Sequence, residues 1–258
     1  MKNSLEIMKK NPVLNSVYVI WQDEESRLWH PVAKLTFDKG IYRLNYTQGV
    51  INAKRFQPFP RMHDYSTVYE SNELFPFFTN RIIQPNRPEF QKILSWLDTS
   101  VEDFNPLDFL GTTSGEKETD NYRILQTPKR SGSRYYFTFF ASGIRYLPDA
   151  NKVEINSLTP GERLNFSFDQ KNQYDDNAIL LHTKKKNVHI GFCPKYLTKD
   201  FKSLINNNQN KSSHFLVKKV NFDAPSQYRL LCSFETDWPD DFIPFVSNDY
   251  LAYKKDPI

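Results

Sequence analysis

Between residues 135 and 234 the chain is a series of short apolar runs separated by turn-forming residues. This punctuation commits it to antiparallel sheet. Tyr135–Ala141 is a strongly apolar run broken only by Thr138. Leu164-Asn165-Phe166-Ser167-Phe168-Asp169 alternates with a period of two, so one face of that strand is apolar and the other polar. Ala178–His182 and Val188–Phe192 flank Thr183–Asn187 as the arms of a hairpin, and Phe215–Val217 and Tyr228–Phe234 supply two further strands. One segment breaks the pattern: after Pro194, Leu197, Phe201, Leu204 and Ile205 recur at helical spacing. Asn206–Ser213 reads as a polar loop. Several short strands with one helix predict a small barrel or rolled sheet. The 21 Phe and 14 Tyr against 8 Gly push in the same direction.

The first half reads as α+β. Residues 1–16 are expected to be a loosely held leader. Val17–Trp21, Val32–Phe37 and Ile41–Tyr46 are strands, with Lys39-Gly40 placed as a tight hairpin turn. Residues 55–88 are aromatic, irregular and punctuated by Pro. Pro88 then opens a helix with Phe90, Ile93, Leu94 and Leu97 on one face, and Pro106–Leu110 is a second short helical turn closed by Gly111. Residues 112–134 are polar and rich in breakers, which sets the expected boundary between a domain over 1–130 and one over 131–258. The tail 237–258 reads either as a wrap or as a frayed end.

Several function classes fall away. No run approaches the ~20 apolar residues of a membrane helix, and residues 1–16 lack the apolar core of a secretory signal. Cys193 and Cys232 stand alone, without zinc-ligand spacing, so the chain is expected to be cytoplasmic and reduced. With 34 Lys+Arg against 30 Asp+Glu the net charge is +4, enough for a local basic groove but not for binding by bulk charge. No phosphate loop, HExxH or GxSxG is present, and none of His30, His63, His182, His189 and His214 lies three or four residues from another on a helix. His182 and His189 read as solvent-facing strand residues. The expectation is a non-catalytic protein without cofactor or metal.

Four short segments stand in a fixed order: Gly143-Ile144-Arg145-Tyr146, Pro160-Gly161-Glu162-Arg163-Leu164, Asn172-Gln173-Tyr174-Asp175-Asp176-Asn177-Ala178-Ile179, and His189-Ile190-Gly191-Phe192-Cys193-Pro194. Together they resemble the HIRAN domain, a small modified OB-like β-barrel, over about 143–205 and more loosely to 235. The resemblance implies binding of single-stranded DNA at a free 3′ end. On the matching positions, Arg145 and Tyr146 would contact bases, Tyr174 and Asp175 would hold the terminal nucleotide, and Phe192 would line the pocket. Asn177 belongs to the same run, Lys195 could reach the backbone, and Tyr228 aligns loosely with a further aromatic. Gln173 stands where the family often has Pro, which leaves the loop less rigid.

Those residue types suit the task. An aromatic ring stacks on any base, and a guanidinium either stacks or holds a phosphate. A carboxylate repels phosphate, so Asp175 makes sense as the acceptor of a terminal 3′ hydroxyl. The plainer reading of Asn172–Asn177 is a well-made turn. Lys184-Lys185-Lys186 reads as a solvated hairpin tip, and Lys195, Lys199 and Lys202 as the polar face of a helix.

The first half resembles, more weakly, the N-terminal subdomain of HipA-type kinases, through Tyr69-x-Ser71-x-x-Leu74-Phe75-Pro76-Phe77-Phe78-x-Asn80-Arg81-Ile82. No kinase core follows. Leu74, Phe75, Phe77 and Phe78 are either core or an exposed patch for a protein partner. The competing function is therefore a regulator that pairs with a HipA-like kinase core or another toxin–antitoxin or defence partner. A DNA repair or defence accessory is the role implied for the end-binding reading. A third class, a nuclease using Asp175-Asp176 or Asp240-Asp241, is opposed by geometry, since adjacent strand residues point to opposite faces.

Overall fold

A computed structural model describes residues 15–172, 175–207 and 212–254. The leader before Asn15, the segment 208–211 and the pair Gln173-Tyr174 lie outside the described residues. The chain divides into two units. One contains the chain up to Ile83, Asn105–Thr127 and the chain from Phe245 on; the other contains Gln84–Phe104 and Pro128–Pro244. The crossing after Thr127 falls three residues before the boundary expected from sequence. Gln84–Phe104 and the last residues cross in addition, so neither unit is one continuous stretch.

The first unit is an antiparallel sheet of β1 (Asn15–Gln22), β2 (Trp29–Asp38), β3 (Ile41–Tyr46), β4 (Tyr69–Ser71) and β5 (Tyr122–Gln126), in the order β4-β3-β2-β1-β5. Lys39 and Gly40 both have positive φ, 49° and 82°, as a two-residue turn between right-twisted strands requires. Val17, Val19, Ala33, Leu35 and Leu44 pack one face of the sheet against Phe56, Phe59, Phe75, Phe78, Leu107 and Leu110. The irregular segment is anchored by the buried Tyr46, whose hydroxyl donates to the Met62 carbonyl (2.7 Å) and accepts from the Phe59 N–H (2.8 Å). Residues 112–134, read as boundary, contain β5, whose Ile124 and Leu125 are buried beside β1. The helix Pro106–Thr113 runs two residues past Gly111. There the missing Cβ admits the Gln126 side chain, which would otherwise stand 2.4 Å from it. The tail wraps: Phe245 and Tyr250 pack on Tyr18, and Ala252 bridges Thr47.

The second unit is a seven-stranded antiparallel sheet of β6 (Lys129–Ser131), β7 (Arg134–Phe140), β8 (Arg163–Phe168), β9 (Ile179–Thr183), β10 (His189–Phe192), β11 (His214–Val220) and β12 (Leu230–Asp237). Its order is β10-β9-β8-β11-β12-β7-β6. The helix Lys195–Asn207 buries Leu197, Phe201, Leu204 and Ile205 against it. Phe201 is the centre of this core, with its ring 4.3 Å from Phe234 and within 6.2 Å of Tyr135, Phe137, Phe139 and Phe215. The barrel expected from sequence is not closed. Past the end of β7 a single isolated bridge, Ser142 to Phe192, meets β10 where a barrel would need a paired strand. The short helix Asp149–Asn156 was not expected; it buries only Ile155 and so carries little apolar periodicity. Among the described residues no helix is long and apolar enough to cross a membrane.

Candidate nucleic-acid interface

The bridge that leaves the sheet unclosed organises the site. Ser142 and Phe192 exchange both backbone hydrogen bonds, at 2.8 and 2.9 Å. Gly191 makes this approach possible. Its φ is +142°, and a Cβ there would stand 2.9 Å from the Ser142 carbonyl oxygen. The chain then turns through Gly143, where an added Cβ would stand 3.1 Å from the edge of the Phe192 ring, into a single 3-10 turn at Ile144–Tyr146. Ile144 is buried and pins the turn, which leaves Tyr146 pointing outward at 75% exposure. The Arg145 guanidinium lies 4.5 Å over the Tyr146 ring and donates to its hydroxyl. Ring and cation are thus presented to solvent as one unit. Phe192, half-buried, packs edge-on against His189 with centroids 4.7 Å apart.

Three residues beyond Phe192 the helix Lys195–Asn207 begins, with Lys195 exposed in its first turn. The Thr198 hydroxyl donates to Asp175 Oδ2 at 2.9 Å, and Asp175 Oδ1 accepts the Asn177 N–H at 3.0 Å. The Asp175 N–H in turn donates to Asn172 Oδ1 at 3.0 Å. Asn177 Oδ1 accepts from Lys202 Nζ at 3.0 Å. Asp175 and Asn177 therefore carry the structural duty of the turn reading, and Lys202 is part of it rather than a plain helix face. Each carboxylate oxygen of Asp175 keeps a second lone pair for a ligand.

The expected site residues fall into two groups joined by the short Phe192–Lys195 segment. Arg145, Tyr146 and Phe192 surround the bridge, while Asp175, Asn177 and Lys195 surround the start of the helix. Tyr174 lies outside the described residues. The 3-10 turn Ser226–Tyr228 packs beside the Ile144–Tyr146 turn, and the Tyr228 ring meets Phe140 edge-on at 5.2 Å. Phe222, four residues before this turn, is 64% exposed, an aromatic the sequence reading passed over because a lone Phe in a loop has no period.

Other expectations are corrected. Phe75 and Phe78 are buried, and Leu74 and Phe77 pack against the same core, so these four residues form no exposed docking patch. His182 and His189 are half-buried rather than solvent-facing. His182 Nε2 lies 3.0 Å from Ser167 Oγ, the two rings stand 5.7 Å apart, and burial pushes both imidazole pKa values down. Lys186 is held at 2.7 Å by Glu154.

Residues 134–238 match the family model of the HIRAN domain. The C-terminal region of the chain is thus a HIRAN domain, a domain that generally binds DNA. Two crystal structures are similar. A Lactobacillus plantarum protein is 21% identical over 40% of this chain and 96% of that one, with a TM-score of 0.33. The HIRAN domain of human HLTF is 18% identical over 42% of this chain and 84% of that one, with a TM-score of 0.29. No curated protein matches the chain. The resemblance of the first half to HipA-type kinases finds no support in these comparisons.

Proposed function

We propose that the second unit is a non-catalytic binding module for the 3′ end of single-stranded DNA. The observation that carries the reading is the Arg145–Tyr146 pair, an exposed ring backed by its own guanidinium on a turn pinned by Ile144 and the Ser142–Phe192 bridge. Such a ring is a stacking platform indifferent to base identity, and the guanidinium adds a contact for the adjoining phosphate. Phe192 supplies a second apolar surface. Lys195 at the start of the helix draws the backbone in, and the remaining lone pairs of Asp175 accept the terminal 3′ hydroxyl. A 3′ phosphate would meet the same carboxylate with like charge and is rejected.

The test is a pair of fluorescent oligothymidines that differ only in a 3′ hydroxyl or a 3′ phosphate, titrated with the full chain. The hydroxyl form binds at least tenfold tighter if Asp175 reads the end. Equal affinities would remove Asp175 from that role and leave a general single-strand binder.

A further inference from the structure

The helix Pro88–Trp96 lies well before the HIRAN match, yet it belongs to the same unit. It is fastened to the loop that carries Tyr228. Asn221 Nδ2 donates to both the Trp96 carbonyl (3.0 Å) and the Tyr228 carbonyl (2.7 Å), and Lys219 Nζ donates to the Ser95 carbonyl. The Trp96 indole stacks on the Tyr228 ring at 5.8 Å with an interplanar angle of 29°. Its Nε1–H donates to Asp223 Oδ1 at 2.9 Å. Lys92, one helical turn earlier, lies 5.4 Å over the indole and 3.1 Å from Asp223 Oδ2.

The turn that carries Tyr228 thus lies beside the turn that carries Tyr146, while the Tyr228 ring itself meets Trp96 and Phe140. Trp96, Tyr228 and Phe140 form a chain of adjoining rings next to the Ile144–Tyr146 turn. Lys92 lies over the Trp96 ring and Arg145 over the Tyr146 ring, while Asp223 accepts from the Trp96 indole and pairs with Lys92. Aromatic faces interleaved with cations are what a single strand needs for bases and phosphates together. The Lys92–Asp223 pair is exposed, with side chains 51% and 62% accessible, so the ammonium exchanges readily from carboxylate to phosphate.

We infer that the helix Pro88–Trp96 adds a further nucleotide subsite to the domain: a base stacks at the Trp96–Tyr228 pair and its phosphate is taken by Lys92. The inference rests on the end-binding reading above, which fixes polarity. With the 3′ sugar at Asp175, the strand passes Tyr146 and reaches Trp96 on its 5′ side.

The test compares a three-nucleotide and a nine-nucleotide oligothymidine with 3′ hydroxyls, and the three-nucleotide strand also with a 3′ phosphate, on the full chain. The longer strand binds more tightly to the wild type. Lys92→Ala weakens only the longer strand, about fivefold, and lowers its slope of log affinity against log salt by about 0.7, the loss of one phosphate contact. Trp96→Ala weakens the longer strand about tenfold, and Trp96→Phe, which keeps a ring and the helix packing, restores most of that. Equal affinity of the two lengths for the wild type, or a Lys92→Ala effect that is absent or the same on both lengths, overturns the subsite. Loss of the hydroxyl-over-phosphate preference on the short strand, with the length effect intact, overturns the end reading instead.

Discussion

Thr198 donates its hydroxyl to the Asp175 carboxylate at 2.9 Å and so ties Asp175 to the first turn of the helix Lys195–Asn207. In the proposed function one acid serves two purposes: it ties its own segment to the helix, and its spare lone pairs accept the hydroxyl of a strand end.

The two purposes separate by substitution. Asp175→Asn keeps an oxygen for the Asn177 N–H and removes the charge, so stability changes by less than ~1 kcal/mol while the preference for a 3′ hydroxyl collapses. Asp175→Ala strands the Asn177 N–H, while the Thr198 hydroxyl turns to the Lys195 carbonyl at 2.8 Å, and the loss of the tie costs ~1–3 kcal/mol. Urea unfolding beside oligonucleotide titration measures both. An Asp175→Ala protein as stable as wild type would deny the tie any weight.

Gly191 and Gly132 differ in what a methyl group would meet. Both have positive φ, but a Cβ at Gly132 reaches nothing within 4 Å, whereas at Gly191 it strikes the Ser142 carbonyl. Gly132→Ala is expected to cost about 1 kcal/mol, the backbone strain alone. Gly191→Ala should cost at least twice that and move the Tyr146 turn with it, because the bridge must open. Thermal melts that show equal losses for the two variants would mean the bridge does not hold the turn.

Tyr146 and Phe201 give opposite expectations from rings in the same unit. Phe201 is fully buried among five other rings, so Phe201→Ala costs ~3–5 kcal/mol and loses binding only through unfolding. Tyr146→Ala leaves the melting temperature unchanged and weakens every oligonucleotide by ~1–3 kcal/mol. Unaltered affinity in a folded Tyr146→Ala protein would leave the stacking role without support.

These residues also show how much was legible in the sequence. The strands β1, β2, β3 and β7 to β12 announce themselves because apolar alternation is a local signal, and the Lys39-Gly40 turn is set by backbone chemistry within two residues. β5 was missed because its case rests on β1, a partner far away in the chain, while its own flanks are polar. Phe90 and Leu94 mark the helix after Pro88 as amphipathic, but periodicity does not say which sheet covers that face, and so the passage of Gln84–Phe104 into the second unit was invisible. In the candidate site, motif order singles out Arg145, Tyr146 and Phe192, but the 3-10 turn that presents the first two follows from the Ser142–Phe192 bridge, a contact about fifty residues apart in the chain. The bonds from Thr198 to Asp175 and from Lys202 to Asn177 join residues more than twenty positions apart and exist only once the helix has docked.

Arg81 is a structural clamp within the run that suggested a kinase relative. Its side chain is 3% exposed, pairs with Asp120 at 2.5 Å, donates to the Gly115 carbonyl at 2.9 Å and lies 4.2 Å over the Phe77 ring. Arg81→Ala leaves the Asp120 carboxylate with only the Tyr122 N–H and the Gly115 carbonyl without its side-chain donor, and should cost about 3 kcal/mol, with Arg81→Lys recovering only part because an ammonium lacks the planar fork. Chemical denaturation of the two variants decides; full recovery by lysine would reduce the clamp to simple charge.

The two histidines of the β9–β10 hairpin make the second unit sensitive to acid. Burial lowers the pKa of His182 below its ordinary 6.5, and burial together with the neighbouring His182 ring lowers that of His189. In the unfolded chain both take up protons near pH 6.5, while in the folded unit they remain neutral to lower pH. Between those limits the unfolded state binds more protons, so stability falls as pH drops below about 6.5 and is constant above it as far as these groups are concerned. His182→Gln and His189→Asn should each flatten the decline between pH 6.5 and 5, and the double variant should flatten it most. Melting temperatures taken across that range, at constant ionic strength, provide the measurement. A wild-type profile with no slope between pH 6.5 and 5, or one that both substitutions leave unchanged, would show that the pair does not govern the acid response.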